Sequence, residues 1–265
     1  MKVKLNNRAI INISGKDALT FLQSQFSNDL HKSDSLHVQI NAYCQHQGKV
    51  ISILWIFKKN NNLYISLPKE LKETVIKKLE MYRMMADVRI EDFSSKVNQY
   101  GLIDEKNYRA VKINKNLSLL TTRDDLVCGG ELNEWDLACI HNHIPEIYVK
   151  TSEKFTPQIL NLDIEELGVS FTKGCYPGQE VVARMHYLGK PKRRLFRFHS
   201  SFKVSIGDSL NVSESQSVKS SGEVVRVAKK DGDFYFLGIF EVSYINNQIY
   251  LNNDQTKSVN LIHEQ

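Results

Sequence analysis

The stretch Phe171-Thr172-Lys173-Gly174-Cys175-Tyr176-Pro177-Gly178-Gln179-Glu180 constrains this chain more than any other. It gathers two glycines, a proline, a thiol, a lysine and a carboxylate. A pure loop has no need of the thiol, and a pure core does not tolerate so many polar groups. The residues that follow, Val181-Val182-Ala183-Arg184-Met185, read as the first turns of a helix. Cys175 therefore sits in a turn just ahead of a helix N-terminus, where backbone N–H groups point outward and the dipole favours negative charge. Lys173 adds a cation nearby, and both influences favour thiolate over thiol. Gly174 and Gly178 permit positive φ or a close backbone approach. The plainer reading is a tight turn with a small buried cysteine, because free cysteine often behaves as a small core hydrophobe.

The remainder bounds the class. At 265 residues there is room for two domains or three small ones. The first residues, Met1 to Arg8, show no apolar leader segment, and the longest apolar run, Val50 to Phe57, is too short to span a bilayer. Cys44, Cys128, Cys139 and Cys175 lie far apart with no Cys-x-x-Cys pair, so free thiols and a cytoplasmic location are expected. A net charge of +5 permits acidic ligands without demanding nucleic acid.

Along the chain, Ile10 to Ile13 reads as a strand, and Ser14-Gly15-Lys16-Asp17 opens a helix with its apolar stripe on Ala18, Phe21 and Leu22. Tyr43 to Lys49 reads as a turn into strand Val50–Lys58, and Asn60-Asn61-Asn62 closes a hairpin onto Leu63–Leu67. A helix follows Pro68, with Leu71, Val75, Leu79 and Tyr82 on one face. Strands are expected near 88–90, 100–103, 110–113 and 117–120, then a helix from Glu134 to Asn142 that Pro145 terminates. This order suggests an α+β unit with an antiparallel sheet over 45–144. Beyond Arg193 short apolar runs alternate with turn signals, Asp231-Gly232 the sharpest, and no helix pattern appears; 193–265 reads as a small all-β domain.

Other clusters are weaker. Cys139, His141 and His143 are two residues apart, so on a helix neighbours point about 200° apart and cannot share a face. No metal site is expected there, and no grouped cysteines offer to hold an iron–sulfur cluster. The basic run Lys190, Lys192, Arg193, Arg194 and Arg197 reads either as a solvated linker or as an anion contact.

The octapeptide Lys173 to Glu180 resembles the Lys-Gly-Cys-Tyr-x-Gly-Gln-Glu signature of the YgfZ family, folate-binding relatives of the glycine-cleavage T-protein associated with iron–sulfur proteins. The likeness continues through Asn161-Leu162-Asp163, Val182-Ala183-Arg184, Gly189 and Lys192-Arg193-Arg194-Leu195. Upstream, Phe21-Leu22-Gln23-x-Gln25-x-Ser27-Asn28-Asp29 matches a further family stretch. The resemblance implies an α+β, T-protein-like folate-binding fold. Antiparallel sheets, an inserted ferredoxin-like subdomain and a C-terminal small β-barrel would surround a central folate cavity. Residues 1–44 would join 145–192, with 45–144 inserted and 193–265 forming the barrel.

The function so implied is a tetrahydrofolate-binding accessory protein for assembly, maintenance or repair of iron–sulfur enzymes, including tRNA-modifying ones. It would be a monomer working with iron–sulfur client or assembly proteins, without membrane or direct nucleic-acid binding. Cys175 would be the functional thiol, with Lys173 beside it. Glu180, Gln179, Tyr176, Asn28, Asp29, Tyr43 and Arg184 would contact the folate. A carboxylate such as Glu180 can accept the paired N–H groups of a pterin in bidentate fashion. Two departures matter. Where the T-protein carries paired aspartates, Gly48-Lys49-Val50-Ile51 leads here to Ser52-Ile53, so aminomethyl transfer is not expected. Met84-Met85 stands where relatives often carry an arginine, which weakens a folate-tail role for that segment. The alternatives are a folate-dependent one-carbon transferase and a folate-independent RNA- or protein-interaction module using the basic run.

Overall fold

A computed structural model describes residues 1–213 and 220–263. Strands β1 (Lys2–Lys4) and β2 (Arg8–Ser14) lead into helix α1 (Ala18–Gln23). Then β3 (Gln39–Cys44), β4 (Val50–Lys59) and β5 (Asn62–Pro68) follow as successive hairpins, and α2 (Lys72–Arg83) leads to β6 (Arg89–Asp92). These strands form an antiparallel five-stranded sheet in the order β3-β4-β5-β2-β6. The mainly apolar run of β4 has a direct cause, since every residue from Val50 to Phe57, Ser52 included, is buried. Asn60 and Asn61, at φ 50° and 62°, make the two-residue turn that joins β4 to β5. Both central residues at positive φ suit the twist of the flanking strands.

A second sheet takes β1 together with β7 (Asn98–Ile103), β8 (Val111–Lys112) and β9 (Leu117–Thr122), in the order β1-β7-β9-β8. Helix α3 (Leu132–His141) lies against it, with the Trp135 ring packed directly on Gly101; a Cβ there would meet the indole at 2.3 Å. Helix α4 (Gln179–Leu188) follows the signature turn. The last unit is a closed barrel of β10 (Arg193–Ser200), β11 (Ser209–Val212), β12 (Gly222–Lys230), β13 (Asp233–Glu241), β14 (Ile249–Leu251) and β15 (Asp254–Leu261). Its order is β10-β13-β12-β11-β14-β15, and Asp231-Gly232 makes the expected turn with φ 52° and 94°.

The sequence reading misses β1 and β3. Tyr43 and Cys44, expected in a turn, end β3; the turn itself is Gln45 to Gly48, closed by Gly48 N–H donating to the Gln45 carbonyl at 2.9 Å. Pairing also runs across the expected segment limit between 44 and 45. β3 joins β4 over it and β5 returns to β2, because neighbouring hairpins bury their apolar faces most readily against each other. One hydrophobic core links the units, with Trp55 of β4, Trp135 of α3, Leu195 of β10 and Leu237 of β13 in the same cluster. Among the described residues no helix is long and apolar enough to cross a membrane.

Candidate functional site

The signature turn is clamped at both ends. At its start Lys173 is buried, and its ammonium donates to the carbonyls of Gln23 (2.6 Å), Asn28 (3.0 Å) and Phe26. The nitrogen also lies 5.3 Å from the centre of the Tyr176 ring. Burial pushes the Lys173 ammonium down to about 8, although three carbonyls match its three N–H groups. Lys173 was expected to act as a cation beside the thiol. With all three protons taken, it has none left for Cys175 and instead ties the signature to the loop after α1.

At the other end Gly178 begins α4 at φ 83°. A Cβ on it would lie 2.5 Å from the Gln45 carbonyl oxygen and 2.7 Å from Gly48 Cα. Gly48 is itself at φ 73°. Two backbones thus touch where any side chain would part them, and this contact fixes the start of α4 on the β3–β4 turn. Between the clamps Cys175 is exposed, and open space surrounds Gly174.

The other thiols differ in surroundings. Cys44, expected in a turn, is buried at the end of β3. Burial pushes the thiols of Cys44 and Cys139 up to about 12 each. Cys128 is half-buried. No group of three or more potential metal ligands occurs among the described residues.

Of the residues expected to hold a folate, Asn28 and Tyr176 both meet Lys173, and Tyr43 packs on Phe26, another of its acceptors. Glu180 and Arg184 are exposed on α4, and Gln179 is half-buried at its start. Tyr176 is buried, and burial followed by the neighbouring Cys44 holds its hydroxyl above the usual range. Tyr43 is buried edge-on to Phe26, ring centres 5.3 Å apart, its hydroxyl without a partner among the described residues and raised by burial. Asn28 and Asp29 are engaged in their own loop. The Asn28 amide donates to the Ile40 carbonyl at 3.0 Å and accepts from Asp29 N–H at 2.8 Å. One Asp29 oxygen takes donors from Gln23 (3.0 Å) and from His31 N–H (3.1 Å). Asn28 also borders a cavity of about 260 Å³ whose other walls include His37, Gln39 and Glu166.

Other parts of the sequence pattern act as a brace. Arg194 makes a two-pronged contact with Asp163, at 2.6 and 3.1 Å, and also bonds the Gln158 carbonyl at 2.7 Å. The Asn161 side chain donates to the Leu195 carbonyl at 2.9 Å. Arg193 bonds the Ser220 carbonyl at 2.7 Å and Arg197 that of His141 at 3.3 Å. Arg194 and Arg197 therefore join the barrel to the rest of the chain, and Arg193 bonds within the barrel, which gives these three a structural role.

A second polar cluster, which the sequence reading missed, lies where the two open sheets, α3 and the barrel meet. The Arg8 guanidinium donates to Glu146, to Ser66 Oγ at 2.9 Å and to the Ser66 carbonyl at 3.0 Å, and its carbon sits 3.7 Å from the Trp55 ring centre. Gln99 of β7 accepts from Ser66 Oγ at 2.6 Å and donates to the Arg8 carbonyl at 3.2 Å. From the barrel, Arg226 bonds Asp136 of α3 at 2.8 and 3.0 Å and the Ile144 carbonyl at 3.0 Å. Arg8 is 7% exposed and Glu146, Trp55, Trp135 and Arg226 no more than 2%. These side chains fill the junction of the two sheets, α3 and the barrel. Arg8 and Glu146 are 138 residues apart in sequence, and no local pattern announces their pairing.

These placements decide whether a folate fits. A carboxylate can accept the paired N–H groups of a pterin. Glu180 is free but exposed. Glu146 has its wall in Trp55, but both are engaged by Arg8. Neither carboxylate is both free and set against an aromatic face in this arrangement.

No family model matches the chain. It is 27% identical over 263 residues to an uncharacterised protein of Haemophilus influenzae, covering 95% of this chain and 89% of that one. It is 28% identical over 267 residues to the tRNA-modifying protein YgfZ of Aliivibrio fischeri, covering 89% and 83%. With the tRNA-modifying protein YgfZ of Colwellia psychrerythraea it shares 27% over 232 residues, covering 75% and 71%. In structure it matches the glycine cleavage system aminomethyltransferase T of Bartonella henselae, with a TM-score of 0.73 at 10% identity, over 99% of this chain and 84% of that one. The likeness read from the signature thus extends over most of the chain, which is a relative of the tRNA-modifying YgfZ proteins on a glycine-cleavage T-protein fold.

Proposed function

We propose that this chain is a YgfZ-like accessory protein that supports the assembly, maintenance or repair of iron–sulfur enzymes, tRNA-modifying ones among them, through the thiol of Cys175. One observation carries the reading. Of the four cysteines, Cys175 alone is exposed, and it stands on a turn clamped by Lys173 at one end and by Gly178 on Gly48 at the other. Such a turn holds a thiol in a constant position for a partner protein. Iron–sulfur client or assembly proteins are the partners in this reading, and the cytoplasm is its setting.

Tetrahydrofolate is the cofactor that the resemblance implies, and no step in this role depends on it. A one-carbon transferase is less well supported. Ser52 and Ile53 are both buried in β4, and the Ser52 hydroxyl donates to the Ile53 carbonyl at 3.3 Å, so no carboxylate is presented there.

The test is complementation of a strain lacking this protein, scored by the tRNA modification that an iron–sulfur enzyme installs. Cys175→Ser should fold with an unchanged melting temperature and fail to restore the modification. Full restoration by the serine variant would remove the thiol from the function.

A further inference from the structure

We infer that the crevice between the two open sheets takes a nucleoside monophosphate, its phosphate on Lys59, Arg109 and Arg123 and its base against Tyr64 and Phe93. The inference rests neither on Cys175 nor on the proposed function.

Separate parts of the chain build the crevice. Lys59, Asn60 and Tyr64 come from the β4–β5 hairpin, Phe93 from just after β6, Arg109 from the loop between β7 and β8, and Arg123 from just after β9. They line a cavity of about 360 Å³, within the size range of small-molecule sites. Lys59 ties the end of β4 to β9, its ammonium donating to the Thr121 carbonyl at 3.1 Å and to Thr121 Oγ1 at 3.4 Å. An ammonium has three N–H donors, so one is left over. The Arg109 and Arg123 guanidinium groups have no hydrogen-bond or ion-pair partner among the described residues.

Charge selects the ligand class. Three cations line the cavity against one carboxylate, Asp124, whose Oδ2 accepts from Thr122 Oγ1 at 2.9 Å. That surplus of two positive charges matches a phosphate monoester, which carries about −1.5 to −2 at neutral pH. The acids that flank these segments in sequence are already answered, Glu91 by Lys96 and Asp125 by Lys4 at 2.7 Å. Burial, and then the neighbouring Arg109, hold the Lys59 ammonium below its ordinary value. Like charges gathered in this way repel, and a bound dianion reverses that cost. The two free guanidinium forks match the oxygens of a phosphate.

The rings select what the phosphate is attached to. Tyr64 stacks on Phe57 with ring centres 5.5 Å apart, and Phe93 stands edge-on to Tyr64 at 5.8 Å. Tyr64 and Phe93 are half-buried and form part of the cavity wall. A flat heteroaromatic ring packs well on such a surface. The Asn60 amide, both donor and acceptor, lines the same cavity and suits the edge of a base. Two sources supply this chemistry, a free mononucleotide and a nucleotide within an RNA. The loop that carries Arg109 continues outward through Lys106, Lys112 and Lys115, with Tyr108 96% exposed among them, so an RNA would find further phosphate and stacking contacts there.

Calorimetry at low ionic strength tests the site, with AMP and CMP standing for the two base classes and adenosine, cytidine and inorganic phosphate as their parts. At least one nucleotide should bind the wild-type chain more tightly than its nucleoside or phosphate alone. Arg109→Ala and Arg123→Ala remove exposed side chains without partners, so both should fold, and each should weaken that nucleotide at least about tenfold. Tyr64→Leu should weaken it at least about fivefold. A short single-stranded RNA of the same base decides the source: tighter binding than the mononucleotide assigns the site to RNA, and equal or weaker binding assigns it to the free nucleotide. No heat with either nucleotide overturns the inference. A nucleoside or phosphate that binds as tightly as the nucleotide also overturns it, as does unchanged nucleotide binding in the Arg109→Ala, Arg123→Ala double variant.

Discussion

Gly178→Ala tests the clamp that positions Cys175. The substitution has two separable costs. A residue with a Cβ at φ 83° is in the left-handed region, which costs an L-residue about 1–2 kcal/mol. The new methyl would also lie 2.5 Å from the Gln45 carbonyl oxygen and 2.7 Å from Gly48 Cα, both backbone atoms that cannot rotate aside. Overpacking of that kind costs about 1–3 kcal/mol. The sum is about 2–5 kcal/mol. In a chain of this length each kcal/mol corresponds to about 2–4 °C in Tm. Gly178→Ala should therefore melt at least about 4 °C below the wild type. Gly174→Ala is the control, since nothing lies within 4 Å of its Cβ position and its φ is not positive. It should stay within about 0.5 kcal/mol of the wild type. Calorimetric melting of the three proteins measures both effects. Equal melting of Gly178→Ala and wild type, or an equal fall for both variants, would refute the clamp.

Three further outcomes follow from the same geometry. The folded Lys173 value of about 8 lies below its ordinary 10.5, so between these the unfolded chain holds the extra proton and stability rises with pH. The difference in urea midpoint between wild type and Lys173→Met should show that rise from pH 7.5 to 10.5, the buried thiols of Cys44 and Cys139, held up to about 12, lowering stability in both proteins above about pH 9. In iodoacetamide labelling followed by mass spectrometry, exposed Cys175 should react fastest and buried Cys44 and Cys139 slowest; comparable rates for Cys44 and Cys175 would contradict the burial argument. Asp163→Ala should destabilise the chain by about 1.5–3 kcal/mol, since it removes both carboxylate contacts of Arg194, and denaturant unfolding measures the loss.

Much of the fold was legible because its signals are local. Asn60-Asn61 and Asp231-Gly232 supply the positive φ of two hairpin turns. The run Val50 to Phe57 carries a strand buried along its length. Strand β3 escaped because Gln39 and Asn41 interrupt its apolar residues, and both serve the Asn28 loop, Gln39 through the Asp29 carbonyl and Asn41 through Asn28 N–H. The signature marked Cys175, but two residues of separation could not say where Lys173 would point. Carbonyls 145 and 150 residues earlier decide that. The Arg8–Glu146 pair was illegible for the same reason: each looks ordinary in its own segment, and only the meeting of β2 with the loop after α3 joins them.

The account's central claim is that one exposed thiol suffices. The most direct measurement uses a chain in which Cys44, Cys128 and Cys139 are all replaced by alanine and Cys175 alone remains. In the deletion strain, at matched protein level, it should restore the iron–sulfur-dependent tRNA modification to the wild-type extent, while Cys175→Ser in the otherwise native chain restores none. Modification restored by Cys175→Ser, or lost in a folded chain that keeps Cys175, would contradict the claim.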